Sequence, residues 1–154
     1  MSGKKRFGRT AMGVGAGLLV LTMAACGMMT MMMGTGAVPP AAEEFGLGPR
    51  SSAGGAYVAT LQPAAPLAVR KLQSVRVRVT DAQGAALEGA TISVDGGMPQ
   101  HGHGLPTSPR VTAYHGDGVY QIDGVRFNMG GWWELELAVA AAAGADTITF
   151  NLKL

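Results

Sequence analysis

Hydrophobic and polar residues alternate in short runs from about residue 56 to the C-terminus, and glycine or proline separates the runs every ten residues or so. In residues 74–80, three valines alternate with Arg76 and Arg78. A period of two places the valines on one face of a β-strand and the arginines on the other. Residues 132–140 repeat the pattern, with four large hydrophobic residues on one face and two glutamates on the other. Both segments are therefore predicted to be strands with one buried face.

Shorter runs of the same kind occur at residues 57–61, 90–95, 110–114, 119–122, 125–129 and 147–152. Alanine favours helices, but the five small residues 141–145 before Asp146 are expected to form a loop between strands. Seven or eight strands separated by turn residues at this spacing predict an all-β domain of the sandwich type over residues 56–154.

The N-terminal 26 residues have the pattern of an export signal. A segment with four basic residues precedes an uncharged, mostly apolar run, 11–25, that is short for a membrane span. The run ends in Met23-Ala24-Ala25-Cys26, which resembles the lipobox of bacterial lipoproteins. That resemblance implies cleavage of residues 1–25, lipid attached to Cys26, and a mature chain anchored to the membrane outside the cytoplasm, on the periplasmic face in a Gram-negative cell. An uncleaved anchor is the alternative.

Removing residues 1–25 changes the charge balance. The whole chain has twelve Lys and Arg against ten Asp and Glu, a formal net charge of +2. Four of the basic residues lie in the signal segment, so eight remain against ten acidic ones and the net charge becomes −2. Neither a basic field nor interleaved aromatic and basic residues remain, so no nucleic-acid partner is expected. The single cysteine is Cys26, so the domain is expected to fold without a disulfide.

Residues 26–55 are rich in methionine, alanine, glycine and proline and are predicted to form a flexible tether before the domain. Five of the ten residues 27–36 are methionine. Two explanations of this cluster stay open. Neutral thioethers are ligands for Cu(I) at any physiological pH, whereas an apolar segment beside a lipid anchor needs no metal.

The segment Met98-Pro99-Gln100-His101-Gly102-His103-Gly104-Leu105-Pro106 contains two of the three histidines and a thioether within six residues. Glycine on both sides of His103 and proline near each end allow the backbone to bend until the two imidazoles converge. Imidazole and thioether together suit Cu(I) better than Zn(II), because an uncharged sulfur is a weak ligand for a borderline dication. The segment is therefore a candidate metal-binding loop. The alternative is an ordinary surface connection, since a His-x-His pair often occurs by chance.

Several short motifs follow one another along the domain: Asp-x-x-Gly at 81–84, Glu-Gly-Ala at 88–90, Met-Pro-x-His-Gly-His-Gly at 98–104, Gly-Val-Tyr at 118–120, and Phe-Asn-Met-Gly-Gly-Trp-x-Glu-Leu at 127–135. In this order they resemble the YtkA-like exported domains, which are related to the periplasmic part of FixH-type proteins, over residues 56–154. The resemblance implies an immunoglobulin-like antiparallel β-sandwich of about seven strands. It also implies a link to copper handling and to the assembly or support of copper oxidases. FixH-type proteins usually carry a transmembrane helix, whereas this chain is predicted to be lipidated.

Met98, His101, His103 and Met129 match recurring methionine and histidine positions of that family, so the resemblance implies a four-ligand Cu(I) site. Met129 lies in a Phe-Asn-Met-Gly-Gly turn, which a sandwich can bring to the same end as the 98–106 loop. The alternative is that both methionines fill the core and the histidines face solvent.

Three other residues have simpler expected roles. His115 lies in a His-Gly-Asp-Gly segment and is expected to be a plain turn residue. Adjacent positions in a strand face opposite sides, so one of Trp132 and Trp133 is expected in the core and the other partly exposed, lining the site.

Two functions fit these features. The first is a membrane-anchored, extracytoplasmic protein that holds Cu(I) and passes it to a membrane partner. The second is a metal-free, immunoglobulin-like interaction module that docks on a membrane or envelope complex. No serine, cysteine or carboxylate pair stands in a recognisable catalytic setting, so no enzymatic activity is expected.

Overall fold

The computed structural model describes residues 37–154. The predicted signal peptide, the lipid attachment at Cys26 and the methionine cluster lie outside the described residues. Within residues 37–154, no helix is long and apolar enough to cross a bilayer.

The described chain is built almost entirely of β-strands, which confirms the predicted fold class. A single turn of 3-10 helix, Ala42–Glu44, comes before them. The strands are β1 (Arg50–Ser51), β2 (Tyr57–Gln62), β3 (Leu72–Asp81), β4 (Thr91–Met98), β5 (His103–Gly104), β6 (Arg110–Tyr114), β7 (Val119–Arg126), β8 (Trp132–Ala141) and β9 (Gly144–Lys153).

All nine strands belong to one antiparallel sheet with the order β1-β2-β3-β7-β6-β4-β8-β9, and β5 pairs with β4. Strands β6 and β4 share a single residue pair, Ser93 with Arg110, so the sheet bends there. The bend separates a layer that contains β2, β3, β7 and β6 from a layer that contains β4, β8 and β9. The two layers pack face to face as an antiparallel β-sandwich, as predicted.

The hydrophobic core lies between the layers and follows the predicted alternation. In β3, Val75, Val77 and Val79 are buried while Arg76 faces solvent. In β8, the buried residues are Trp133, Leu135, Leu137 and Val139, and in β9 they are Ile148, Phe150 and Leu152. Burial of these alternate side chains is the main stabilising contribution to such a fold.

Two segments differ from the predicted strand boundaries. Residues 119–122 and 125–129 were expected to be separate, but β7 runs on through residue 126. Asp123 and Gly124 form a bulge opposite β3, where Gly124 has φ +87, so a sequence typical of a turn is accommodated inside a strand. The expected loop at 141–145 is also shorter, because β8 and β9 continue until Ala141 pairs with Gly144.

The folded unit begins earlier than the predicted boundary at Ala56. Residues 45–55, which we call the strap, run between β2 and β9. Arg50 and Ser51 pair with β2, Phe45 forms a bridge with Asn151, and the Ala53 amide donates to the Thr147 carbonyl at 2.9 Å. The strap is held chiefly by backbone groups, so its glycine, proline and serine content resembles a linker even though it is part of the fold.

Candidate metal site

The histidine loop is a tight connection between β4 and β5. Met98, the last residue of β4, pairs directly with His103, the first residue of β5. The amides of His101 and Gly102 both donate to the Met98 carbonyl, at 3.0 and 2.9 Å. Residues 99–102 therefore form a closed turn, and Met98 and His103 project to the same face because they are cross-strand partners.

Glycines in β4 allow neighbouring strands to approach this turn closely. A Cβ on Gly97 would lie 2.7 Å from the carbonyl oxygen of His103, and a Cβ on Gly96 would overlap the carbonyl oxygen of Glu134. Both obstacles are backbone atoms, which cannot move aside without shifting a strand. The pair of glycines before Met98 lies beyond the run predicted at 90–95, and it is the sequence signal for this close packing.

The two imidazoles lie side by side. Their ring centres are 5.9 Å apart with an angle of 32° between the planes, and His101 is exposed while His103 is half-buried. A metal ion about 2 Å from one nitrogen of each ring leaves the ring centres roughly 5–6 Å apart. His103 Nδ1 lies 3.3 Å from the Gly104 carbonyl oxygen. In the tautomer that donates this hydrogen bond, Nε2 has a free lone pair for a metal.

Trp133 connects the histidine loop to the turn that contains Met129. Its fully buried ring meets His103 edge to face, with centres 5.7 Å apart, and packs against Phe127 at 5.2 Å. Its Nε1 donates to the Met129 carbonyl oxygen at 3.0 Å. The 127–131 turn and the histidine loop therefore lie at the same end of the sandwich.

The loop between β2 and β3 reaches the same place. Val69 forms a bridge with Phe127, and the Arg70 amide donates to the Phe127 carbonyl. We call this end, formed by residues 63–71, 99–102 and 127–131, the histidine end. The connections at 82–90, 115–118 and 142–143 form the opposite end.

The two candidate methionines differ in their surroundings. Met98 is a core residue with 1% of its surface exposed, and its terminal methyl group lies 2.8 Å from where a Cβ on Gly131 would be. Met129 is 38% exposed, so it does not fill the core. The structure thus brings together Met98, His101 and His103, and it places Met129 in the adjoining turn.

The second tryptophan differs from the prediction. One of the two adjacent tryptophans was expected to be partly exposed, but both are buried, and only 8% of the Trp132 surface reaches solvent. Its Nε1 donates to Asn151 Oδ1 at 2.9 Å, and it lines a cleft of about 480 Å³ with Pro39, Pro40 and Phe45. The segment before β1, which was expected to belong to the tether, covers it. The tryptophan beside the histidines is instead the core residue, Trp133.

The carboxylates near the loop do not join the donor set. Across residues 37–154, no group of three or more His, Cys, Asp or Glu side chains is arranged to hold a metal ion. Glu134 lies opposite Gly97 in the sheet, but its side chain faces away from the buried Trp133. Burial, and then the negative charge of Glu136, raise the pKa of Glu134. The candidate donors at this end are therefore imidazole and thioether groups.

His115 lies apart from these residues, at the opposite end. It is exposed between β6 and β7, and its Nε2 is 3.1 Å from Gln121 Oε1. This position fits the expected turn residue.

These observations describe the class of protein: an all-β sandwich domain in which a tight loop carries two adjacent histidines next to a buried methionine. The family model for YtkA-like domains matches residues 52–138, more than half of the chain and including both histidines, Met98 and Met129. The chain therefore belongs to the YtkA-like family. No curated protein and no solved structure matches it.

Proposed function

We propose that this protein is a membrane-anchored, extracytoplasmic copper carrier that holds one Cu(I) ion and passes it to a membrane or envelope partner. The role would lie in copper homeostasis or oxidase assembly, and it involves no catalysis. The observation that carries the proposal is the pair of adjacent imidazoles directly beside a buried thioether at one end of the sandwich. The lipobox-like segment at Cys26 supports the anchor and the compartment.

The donor set favours the soft monovalent ion. His101 and His103 would supply nitrogen ligands. Met98 would supply a thioether from the core side, and Met129 would supply a second thioether from the adjoining turn. All four ligands are neutral when bound, so they carry no charge that would favour a hard dication. Imidazole binds metal in its neutral form, whereas thioether does not titrate. The affinity is therefore expected to fall on acidification.

The different exposure of the ligands suits transfer to a partner. His101 faces solvent, whereas Met98 is held in the core. A partner could replace the exposed ligands in sequence while Met98 keeps the ion in place. The rigid aromatic support of Trp133 and Phe127 keeps His103 oriented during this exchange.

The test is titration of the chain with Cu(I) against a competing Cu(I) chelator. Cys26 is replaced by serine, and Met12, Met23 and the five methionines of residues 27–36 are replaced by leucine, which leaves the initiator Met1 as the one sulfur donor besides Met98 and Met129. We expect one bound ion per chain. The His101→Ala, His103→Ala double variant should lose at least about 100-fold in affinity, because two of four ligands disappear. Met129→Ala should weaken Cu(I) binding more than Cu(II) binding, since the soft ion prefers sulfur.

The matched control is His115→Ala, which removes an exposed histidine at the opposite end and should leave the affinity unchanged. Unchanged affinity in the double variant would contradict the copper proposal. The metal-free interaction module would then be the better account of this domain.

A further inference from the structure

Exposed hydrophobic side chains concentrate at the histidine end. Among residues 37–154 the large exposed ones are Val38, Leu47, Val69, Leu72, Tyr114 and Met129. Five of the six belong to this end or to the segments packed beside it, and only Tyr114 lies at the opposite end. The most exposed large hydrophobic residue within the described strands is Leu72, at 69%, which starts β3 next to the 63–71 loop.

Positive charges surround the same hydrophobic residues. Arg70 and Lys71 flank Val69 and Leu72, Arg126 pairs with Leu72 across the sheet, and Lys153 ends β9 beside the 127–131 turn. All four side chains are exposed. They are half of the eight Lys and Arg in residues 37–154. Of the ten carboxylates in residues 37–154, Asp81, Glu88, Asp117 and Asp146 lie at or next to the opposite end. Glu43 and Glu44 lie in the 3-10 turn before the strap, and Glu134 pairs with Gly97 near the histidine loop.

The N-terminal segment meets the sandwich at the histidine end as well. Pro39 and Pro40 line the same cleft as Gln100, Gly131 and Leu154. Thirteen residues lead from Cys26 to Pro39. A fully extended chain of that length reaches at most about 45 Å. A chain anchored through Cys26 would therefore hold this end closer to the bilayer than the other.

We infer that the histidine end is a membrane-contacting surface that lies on anionic lipid. Leu72 and Val69 enter the headgroup region, while Lys71 and Arg126 contact lipid phosphates. Exposed hydrophobic side chains ringed by cations are the chemistry that interfacial lipid binding uses. The exposed cations and the N-terminal segment lie at the same end of the domain. Binding to anionic lipid explains this shared location, whereas binding to a protein partner does not require it. The inference relies on the predicted anchor only for the tether length, and it does not depend on copper.

The orientation has a direct functional meaning. The histidine loop would face the bilayer, so bound metal would be presented to an integral membrane partner and shielded from soluble chelators. The opposite end would point away from the lipid.

The test places an environment-sensitive fluorophore at either end of the full chain. Leu72→Cys and, as the matched control, Tyr114→Cys are labelled and reconstituted in vesicles that contain phosphatidylglycerol and a lipid with a quencher near its headgroup. We expect strong quenching and a blue shift at position 72, because interfacial side chains lie about 5–10 Å into the headgroup boundary. Position 114 should show neither effect. Equal quenching at both positions, or none at position 72, would overturn the proposal and favour a protein-docking face.

Charge reversal tests the electrostatic part. Lys71→Glu combined with Arg126→Glu should lower the quenching at position 72, because each cation near an anionic surface adds attraction. Arg78→Glu, next to the opposite end, should not. Quenching that survives the double reversal would overturn the assignment to anionic lipid. Near-ultraviolet circular dichroism of Trp132 and Trp133 verifies that each variant is folded.

Labelling of the parent chain separates this proposal from the anchor prediction. If the chain without added cysteines reacts with the thiol-specific fluorophore, its Cys26 thiol is free, which contradicts lipid attachment. The comparison of positions 72 and 114 is then made in the Cys26→Ser background, where it tests the surface alone.

Discussion

The two ends of the sandwich are built by different means. At the opposite end, side chains tie down the backbone: the Tyr120 hydroxyl donates to the Leu87 carbonyl at 2.7 Å and accepts from the Ala90 amide, and Asp81 accepts two amides from its own turn. At the histidine end, aromatic rings support an exposed His101 and a half-buried His103. The histidine end also has side-chain-to-backbone hydrogen bonds, between Gln73 and Ala68 and from Trp133 to Met129, but its imidazoles and cationic side chains remain at least partly exposed to ligands.

We therefore expect the residues that stabilise the fold and the residues that bind ligands to lie at different ends of this domain. Changes at the opposite end should then lower stability without altering metal binding. Changes at exposed positions of the histidine end should do the reverse, whereas changes in its tightly packed backbone should affect both properties.

The largest effect is expected from Gly96→Ala. The added methyl group would overlap the Glu134 carbonyl, so β4 and β8 would have to separate near the histidine loop. We expect a loss of about 2–3 kcal/mol in the free energy of unfolding and a weaker metal site, measured by denaturant unfolding and Cu(I) titration. The control is Gly84→Ala, which has open space and only the strain of φ +87. It should cost about 1 kcal/mol and leave the metal site intact. Similar losses in the two variants would contradict the packing argument.

Smaller effects are expected from one substitution at each end, Tyr120→Phe and His101→Ala, which should change stability and Cu(I) affinity separately. Tyr120→Phe removes a buried hydroxyl that holds Leu87 and Ala90, so it should cost about 1–2 kcal/mol of stability with unchanged Cu(I) affinity. His101→Ala removes an exposed side chain and should change stability by less than about 0.5 kcal/mol while weakening Cu(I) binding. Both variants are measured by chemical unfolding and chelator competition. A Tyr120→Phe variant that loses Cu(I) affinity would show that the ends are coupled.

The smallest effect concerns acid stability of the strap near the opposite end. Hydrogen bonds from Ser52 and from the Gly54 amide lower the pKa of Asp146 from 3.8 to about 2. A carboxylate with a lowered pKa stabilises the folded state fully above its ordinary value, and this contribution is lost as the pH falls from about 4 to about 2. The melting temperature should therefore decrease across this range.

Asp146→Asn is the control for that titration. It should be less stable than the parent at neutral pH and should lose less stability on acidification. Some decrease will remain, because hydrogen bonds from Ser74, Thr112 and Gln121 also lower the pKa of Asp123. A variant whose acid profile is identical to that of the parent would rule out Asp146 as the source.

Most of the fold could be predicted because side-chain alternation determines it. Val75, Val77 and Val79 in β3 and the matching positions in β8 needed only a period of two. The strap could not be predicted in this way, because Arg50 and Ser51 join the sheet through backbone hydrogen bonds that leave no hydrophobic pattern. The burial of both tryptophans could not be predicted for the same reason, since the segment that packs beside Trp132 had been expected to belong to the tether.

The candidate site was predictable in its residue types but only partly in its geometry. Spacing alone indicated that His101 and His103 could approach each other, and the resemblance to the YtkA-like family added Met129. The sequence could not show that Trp133 connects the loop to the Met129 turn, because that contact joins residues from β5, β8 and the turn after β7. The burial of Met98 likewise depends on the close packing of its methyl group beside Gly131, a contact between β4 and the 127–131 turn.

The strap has a consequence for the solubility of shortened forms of this protein. Its backbone groups occupy the free hydrogen-bonding sides of both terminal strands, through β1 on β2 and through Phe45, Gly46 and Ala53 on β9. A chain that starts at Ala56 would expose two unpaired sheet edges, and such edges are templates for association with other chains. Truncation there should therefore yield aggregates or strand-exchanged dimers, even if the hydrophobic core remains complete.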